Sequence, residues 1–326
     1  MATYKEIHGT NIEVVSSDPS NPVEGQIWYN TSTNKVKGFL VSAGSWATGG
    51  AMNTARNSLG SAGTTQAAAL GFGGDTNAPT TPAQTELYNG TSWTEVNDLN
   101  TGRQALGGAG TSTAALGFGG TTPAATVTDT ETWNGTNWTE VNNRNTAKQY
   151  FGSAGATNTA CLAFGGDPVT TITENWNGTN WTEVNDLNTQ RDLLAGNGTN
   201  TSALAYGGET PSATAATESW NGTNWTSVNS MNTVRRRLAG AGASNTSGLA
   251  FAGKISAGPD PVTGVTESWN GTNWTEVGDM SVARQWLGSS GTNSSASGFG
   301  GSTPAGQSAS TEEFSSGPAT VTFGTS

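Results

Sequence analysis

The chain has 326 residues, 46 of them glycine, with only 11% charged and a formal net charge of -11. Phosphate binding needs a basic stripe, so this acidity argues against a nucleic-acid or anionic-membrane partner. Twelve tryptophans placed in register argue against disorder, which goes with few aromatics and high net charge.

No run approaches the ~18 apolar residues of a membrane span. The opening MATYKEIHGTNIEVV lacks the basic region and apolar run of a secretory signal, so synthesis in a cytoplasm is expected. Residues 1–37 differ in character from the rest of the chain. A Pro-bearing linker leads into IWYN, TSTN and KVKGF, which reads as a hairpin with a four-residue loop. This stretch resembles the short GQIWYNT-type modules at the start of tail and fibre proteins of marine tailed bacteriophages. The resemblance implies an N-terminal attachment segment, with other virion proteins as its partners.

From residue 38 onward the phrase WNGTNWTEVND recurs. Its second aromatic falls at Trp46, Trp93, Trp138, Trp181, Trp225 and Trp274, with spacings of 47, 45, 43, 44 and 49 residues. Such a period signals a solenoid, a propeller or an array. Each copy holds apolar runs too short for helices, bounded by Gly, Asn and Pro. Asn-Gly between two such runs predicts a hairpin in which both residues tolerate positive φ. The flanking aromatics, such as Trp220 and Trp225, then become cross-strand neighbours. Four short strands per repeat correspond to one propeller blade.

An aromatic, a tight turn, a Trp, a linker bearing Arg and an apolar strand ending in Gly-Gly resemble the kelch pattern. The Gly-Gly slot is Gly73-Gly74, Gly119-Gly120, Gly165-Gly166, Gly207-Gly208, Ala252-Gly253 and Gly300-Gly301. The resemblance implies an all-β, six-bladed kelch-like β-propeller over 38–326, preceded by the short N-terminal hairpin. The segment Lys37–Trp46 reads as an outer hairpin without inner strands, so Trp46 is expected to join the last blade and close the ring. Kelch folds host enzymes, adaptors and adhesins alike, so function must be argued from the site.

A Glu at 86, 131, 174, 218, 267 and 312 repeats before the first aromatic. Arg56, Arg103, Lys148, Arg191, Arg235 and Arg284 fill the linker slot. These predict an inter-blade ion pair or a cation capping backbone carbonyls. Cys161 replaces a small residue and reads as buried, with no disulfide available. The Asn-x-Thr triplets read as turns, and the Gly-rich strings lack the Lys-Ser/Thr of a phosphate loop.

Catalytic chemistry finds little material. His8 is the sole histidine, so the copper site of a galactose-oxidase-type kelch enzyme lacks its ligands. The blades also lack the Asp of a sialidase box. Asp75, Asp192 and Asp260 could serve as carboxylates, but no spacing pairs them. No enzyme activity, cofactor or metal is expected.

The copies disagree in the loops between second and third strands and at the position two after the linker cation. That position holds Ser58, Ala105, Tyr150, Leu193, Arg237 and Trp286. Tyr150, Arg236, Arg237, Lys254, Asp260 and Trp286 therefore gather on one variable face. Aromatic and Arg groups there suit a host-surface glycan or a protein partner. The bland alternative is that Leu193 and Trp286 fill gaps between blades. The resulting expectation is a virion structural protein, a tail fibre or other surface-exposed component, working as an oligomer within an assembly. The alternative is a cytoplasmic kelch adaptor or lectin-like module.

Overall fold

A computed structural model of the chain describes residues 12–255 and 261–323, so His8 and Asp260 lie outside the described residues. The described residues form strands and turns, with no helix among them. The chain divides into two compact units, Met1–Gly44 with Ser316–Ser326, and Ser45–Ser315.

In the first unit, β1 (Glu13–Val15) runs parallel to β2 (Ile27–Asn30). Strand β2 pairs antiparallel with β3 (Lys35–Thr48), and Asn30 opposite Lys35 closes the four-residue loop. Trp28 is fully buried, and its Nε1 donates to Asp18 Oδ1 at 2.9 Å. Asn30 Nδ2 donates to the same oxygen at 2.7 Å, and Lys37 Nζ lies 2.7 Å from Oδ2. These donors, Lys37 foremost, hold the Asp18 carboxyl down to about 2.

The second unit repeats one plan in five sheets, four antiparallel strands in sequence order, and the last sheet departs from it. The first sheet is β4 (Gly60–Thr65), β5 (Ala68–Phe72), β6 (Thr85–Tyr88) and β7 (Trp93–Val96). The second is β8 (Gly107–Thr111), β9 (Ala114–Phe118), β10 (Thr130–Trp133) and β11 (Trp138–Val141). The third is β12 (Gly152–Thr157), β13 (Ala160–Phe164), β14 (Thr173–Trp176) and β15 (Trp181–Val184). The fourth is β16 (Ala195–Thr199), β17 (Ser202–Tyr206), β18 (Thr217–Trp220) and β19 (Trp225–Val228). The fifth is β20 (Ala239–Ser244), β21 (Ser247–Phe251), β22 (Thr266–Trp269) and β23 (Trp274–Glu276). The last contains β24 (Gly288–Gly291) and β25 (Ser295–Phe299), and it is followed in the chain by β26 (Ser302–Thr303) and β27 (Gly306–Gln307), a hairpin that forms a two-stranded sheet of its own. The third strand of the last sheet is β28 (Thr311–Phe323), and its fourth is β3, from the opposite end of the sequence. This all-β stack of repeated four-stranded sheets is consistent with a propeller.

Burial explains the composition strand by strand. Second strands such as β5 and β9 are covered on both faces and read as continuous apolar runs. Fourth strands bury the Trp that opens them and expose the two residues after it. First strands pack side by side, β4 against β8 and β24, which leaves no room for large side chains. A Cβ at Gly108, for instance, would stand 2.1 Å from the Ser61 carbonyl oxygen.

Each fourth-strand Trp locks its sheet to the preceding one. Trp138, Trp181, Trp225 and Trp274 donate through Nε1 to Thr85, Thr130, Thr173 and Thr217, at 3.0–3.2 Å. Trp93 does the same to Thr311 at 2.9 Å, and Trp46 to Thr266 at 3.0 Å. The rings follow suit. Trp46 lies against Phe251, Trp93 against Phe299 and Trp138 against Phe72, with centroids 4.7–4.9 Å apart. Such contacts bury large aromatic areas and fix the angle between neighbouring sheets.

The turn between third and fourth strands corrects one expectation. Trp133 pairs with Trp138 across four residues, Asn134–Asn137. Only Gly135 has positive φ, at 91°. Asn134 acts through its side chain, whose Oδ1 accepts from the Thr136 and Asn137 amides at 2.9 Å each.

The repeated ion pair lies within one repeat rather than between two. Arg56 Nη2 reaches Glu86 Oε1 at 2.8 Å, while Nη1 donates to the Gly73 and Gln84 carbonyls at 2.8 and 2.6 Å. The same pattern joins Arg103 to Glu131, Arg191 to Glu218, Arg235 to Glu267 and Arg284 to Glu312. The third repeat departs from it. Lys148 turns to the Pro168 carbonyl at 2.9 Å, and Arg144 reaches Glu174 at 3.4 Å. Arg144 stands where the other repeats carry Met52, Leu99, Leu187, Met231 and Met280. Its guanidinium lies 4.4 Å from the Phe151 ring centre. Arg144 Nη1 and Nη2 and Glu174 Oε1 are buried without hydrogen-bond partners.

Candidate functional site

The position two after the linker cation forms the geometric centre of the variable face. Ser58, Ala105, Tyr150, Leu193, Arg237 and Trp286 all take positive φ, between 51 and 57°. None is glycine, and a left-handed conformation in bulky residues costs on the order of 1–3 kcal/mol each. A closed cycle of backbone bonds holds them there. Ala105 N donates to Ser58 O, Tyr150 N to Ala105 O, and Leu193 N to Tyr150 O. Arg237 N then donates to Leu193 O, Trp286 N to Arg237 O, and Ser58 N to Trp286 O at 3.0 Å. Each residue both gives and receives one bond, so the six side chains are fixed around a common mouth. A cavity lined by these six and the residue after each lies at this mouth.

Three of the six residues expected on this face sit on the cycle. Tyr150 and Trp286 occupy opposite positions, three steps apart, and their rings lie 6.5 Å apart at 26°. The Arg237 guanidinium lies 4.3 Å from the Trp286 ring centre, a cation–π contact, and Nη1 reaches Gln285 Oε1 at 3.4 Å. Trp286 Nε1 is buried without a hydrogen-bond partner. Arg236 and Lys254 flank the cycle, paired to each other through backbone bonds of 3.0 and 2.8 Å. Arg236 also forms an ion pair with Glu209 of the fourth repeat. Asp260 falls outside the described residues.

The same backbone bridging repeats around the mouth and brings together carboxylates whose spacing says nothing. Asp192 pairs with Glu209, and Gln149 with Asp167, whose Oδ2 accepts from Gln149 Nε2 at 2.8 Å. Asp192 is only 9% exposed and its Oδ1 has no hydrogen-bond partner. Burial first, then the nearby Glu209 and Asp167, push its carboxyl up to about 6. The mouth thus carries an acidic arc on the third and fourth repeats and Arg236, Arg237 and Lys254 on the fifth. Burial also raises the Tyr150 phenol. Nothing in the sequence marks Asp192 and Glu209 as partners except their place relative to Arg191 and Gly207-Gly208.

Among the described residues, no three His, Cys, Asp or Glu side chains are placed to hold a metal ion. Cys161 is fully buried, and burial raises its thiol pKa. The opposite face repeats one device four times. Asn97, Asn142, Asn185 and Asn229 each clasp the turn of the next sheet, donating to a Thr carbonyl and an Asn Oδ1. No protein-family model matches the chain, and no curated protein matches it in sequence.

Proposed function

We propose that the chain is a six-bladed, kelch-like β-propeller that works as a binding module rather than an enzyme. Its variable mouth engages a host-surface glycan or protein. Its N-terminal segment, residues 1–37, attaches it to other proteins of a bacteriophage particle, as a tail fibre or another surface-exposed component.

The observation that carries the binding reading is the cycle of six left-handed residues. Identical backbone geometry there displays Ser, Ala, Tyr, Leu, Arg and Trp, whereas the opposite face repeats one turn almost unchanged. A scaffold needs no such variety at a strained position. Support for ring closure comes from Trp46 and Trp93, which repeat the Trp-to-Thr bond between sheets far apart in sequence. The particle assignment rests on the residues Gly25–Thr31 and their likeness to fibre-protein modules.

Deleting residues 1–37 tests the attachment role. The truncated chain is expected to keep cooperative unfolding and to disappear from purified particles. Its retention in particles would refute that role.

A further inference from the structure

The acidic arc holds a group that the scaffold does not satisfy. Asp192 is nine-tenths buried, its Oδ1 lacks any hydrogen bond, and the charges that act on it are two carboxylates, Glu209 and Asp167, and the Arg236 guanidinium. Arg236 forms an ion pair with Glu209 and reaches Asp192 only through its field, without bonding Oδ1. A buried carboxylate oxygen left without a hydrogen bond is disfavoured. The repeated frame does not require it, since the equivalent positions hold Asn57, Gln104, Gln149, Arg236 and Gln285.

Building on the reading of the mouth as a binding face, we propose that Asp192 receives the primary ammonium group of an amino sugar, with Glu209 and Asp167 adding to the negative field around it. An ammonium carries three N–H donors and no acceptor, which matches a set of carboxylates. Charge-assisted bonds of ~2.7–2.9 Å would replace the missing partner of Oδ1. Arg236 is taken up by Glu209, and a neutral hydroxyl or amide offers no charge for Asp192. Among the described residues, these carboxylates are not arranged to enclose a metal ion. At the mouth, Tyr150 and Trp286 supply flat apolar surfaces on the cycle for a sugar ring. Tyr150 also lies within the field of Asp167. A lysine side chain would bring the same ammonium without a ring for those aromatics to cover.

Calorimetric titration of the full-length protein tests this with a β-1,4-linked glucosamine tetramer and its fully N-acetylated counterpart. The two probes differ at the amino groups alone. The expected result is at least tenfold tighter binding of the glucosamine tetramer. Asp192→Asn and Glu209→Gln should each weaken it by tenfold or more, with the thermal midpoint at pH 7.5 undiminished for Asp192→Asn. Equal binding of both tetramers, abolished by Trp286→Ala, would overturn the ammonium assignment and leave the mouth as a binding face. Binding untouched by the Asp192, Tyr150 and Trp286 variants would overturn both. Binding of Nα-acetyl-lysine amide as tight as that of the glucosamine tetramer would overturn the sugar assignment.

Discussion

Trp46 Nε1 donates to Thr266 Oγ1 at 3.0 Å across 220 positions of sequence. The same bond joins neighbouring repeats elsewhere, so Trp46 supplies to the last sheet what Trp138 or Trp181 supplies to its own. Its ring also packs on Phe251 and Phe314.

Trp46→Ala should therefore lower stability by about 3 kcal/mol, the usual cost of emptying a packed aromatic site. Thr266→Val should cost about 1 kcal/mol, because it leaves the indole N–H without its acceptor. Urea unfolding followed by tryptophan fluorescence measures both. An unchanged midpoint for Trp46→Ala would show that this strand does not secure the last sheet.

The third repeat tests the exchange between Arg144 and Lys148. Arg144→Leu alone strands Glu174 as a buried, unpaired charge and should cost about 3–5 kcal/mol. Adding Lys148→Arg restores the pattern of the other repeats and should recover most of that loss. A double-mutant cycle then gives a coupling of ~0.5–3 kcal/mol. Additive effects would mean that the two positions are independent.

Strain at the mouth has its own signature. Ala105 holds φ at 53° with a side chain that contributes little else. Ala105→Gly should raise the thermal midpoint slightly, because relief of the left-handed conformation outweighs the added freedom of the unfolded chain. A clear loss of stability would contradict a strained cycle.

Asp192 predicts a pH dependence of stability. Its folded pKa, about 6, exceeds the ordinary 3.8. Between those values the folded chain binds more protons than the unfolded one, so this contribution to stability falls as pH rises from about 4 to about 6. Asp192→Asn should remove that slope and be the more stable protein at pH 7. Parallel pH profiles for the two proteins would exclude the shift.

Much of the frame is legible in the sequence because its causes are local. Trp220 opposite Trp225 follows from a turn flanked by two aromatics, and the structure pairs them with ring centres 5.4 Å apart. The Glu–Arg pairing is visible by repetition, although its location within one repeat is not. The backbone cycle is not visible, since no glycine marks its left-handed positions. Asp192 and Glu209 meet through a bridge that recurs in every repeat, from the residue after the linker cation to the residue after the Gly-Gly slot, but that both of its residues are acidic is peculiar to the fourth repeat. Arg144 stands in a slot that is apolar in every other copy, so only packing reveals its partner. Tyr150, Arg237 and Trp286 are traceable as differences between copies, and the cycle explains why those differences share one place.

Binding at the variable mouth is put to the test by a glycan array probed with labelled full-length protein. Trp286→Ala, Tyr150→Ala and the opposite-face variant Asn221→Ala are compared on the same array. Discrete signals are expected for the unaltered protein, with a loss of at least tenfold for both mouth variants and retention for Asn221→Ala. Signals kept by the mouth variants and lost by Asn221→Ala would contradict a binding mouth.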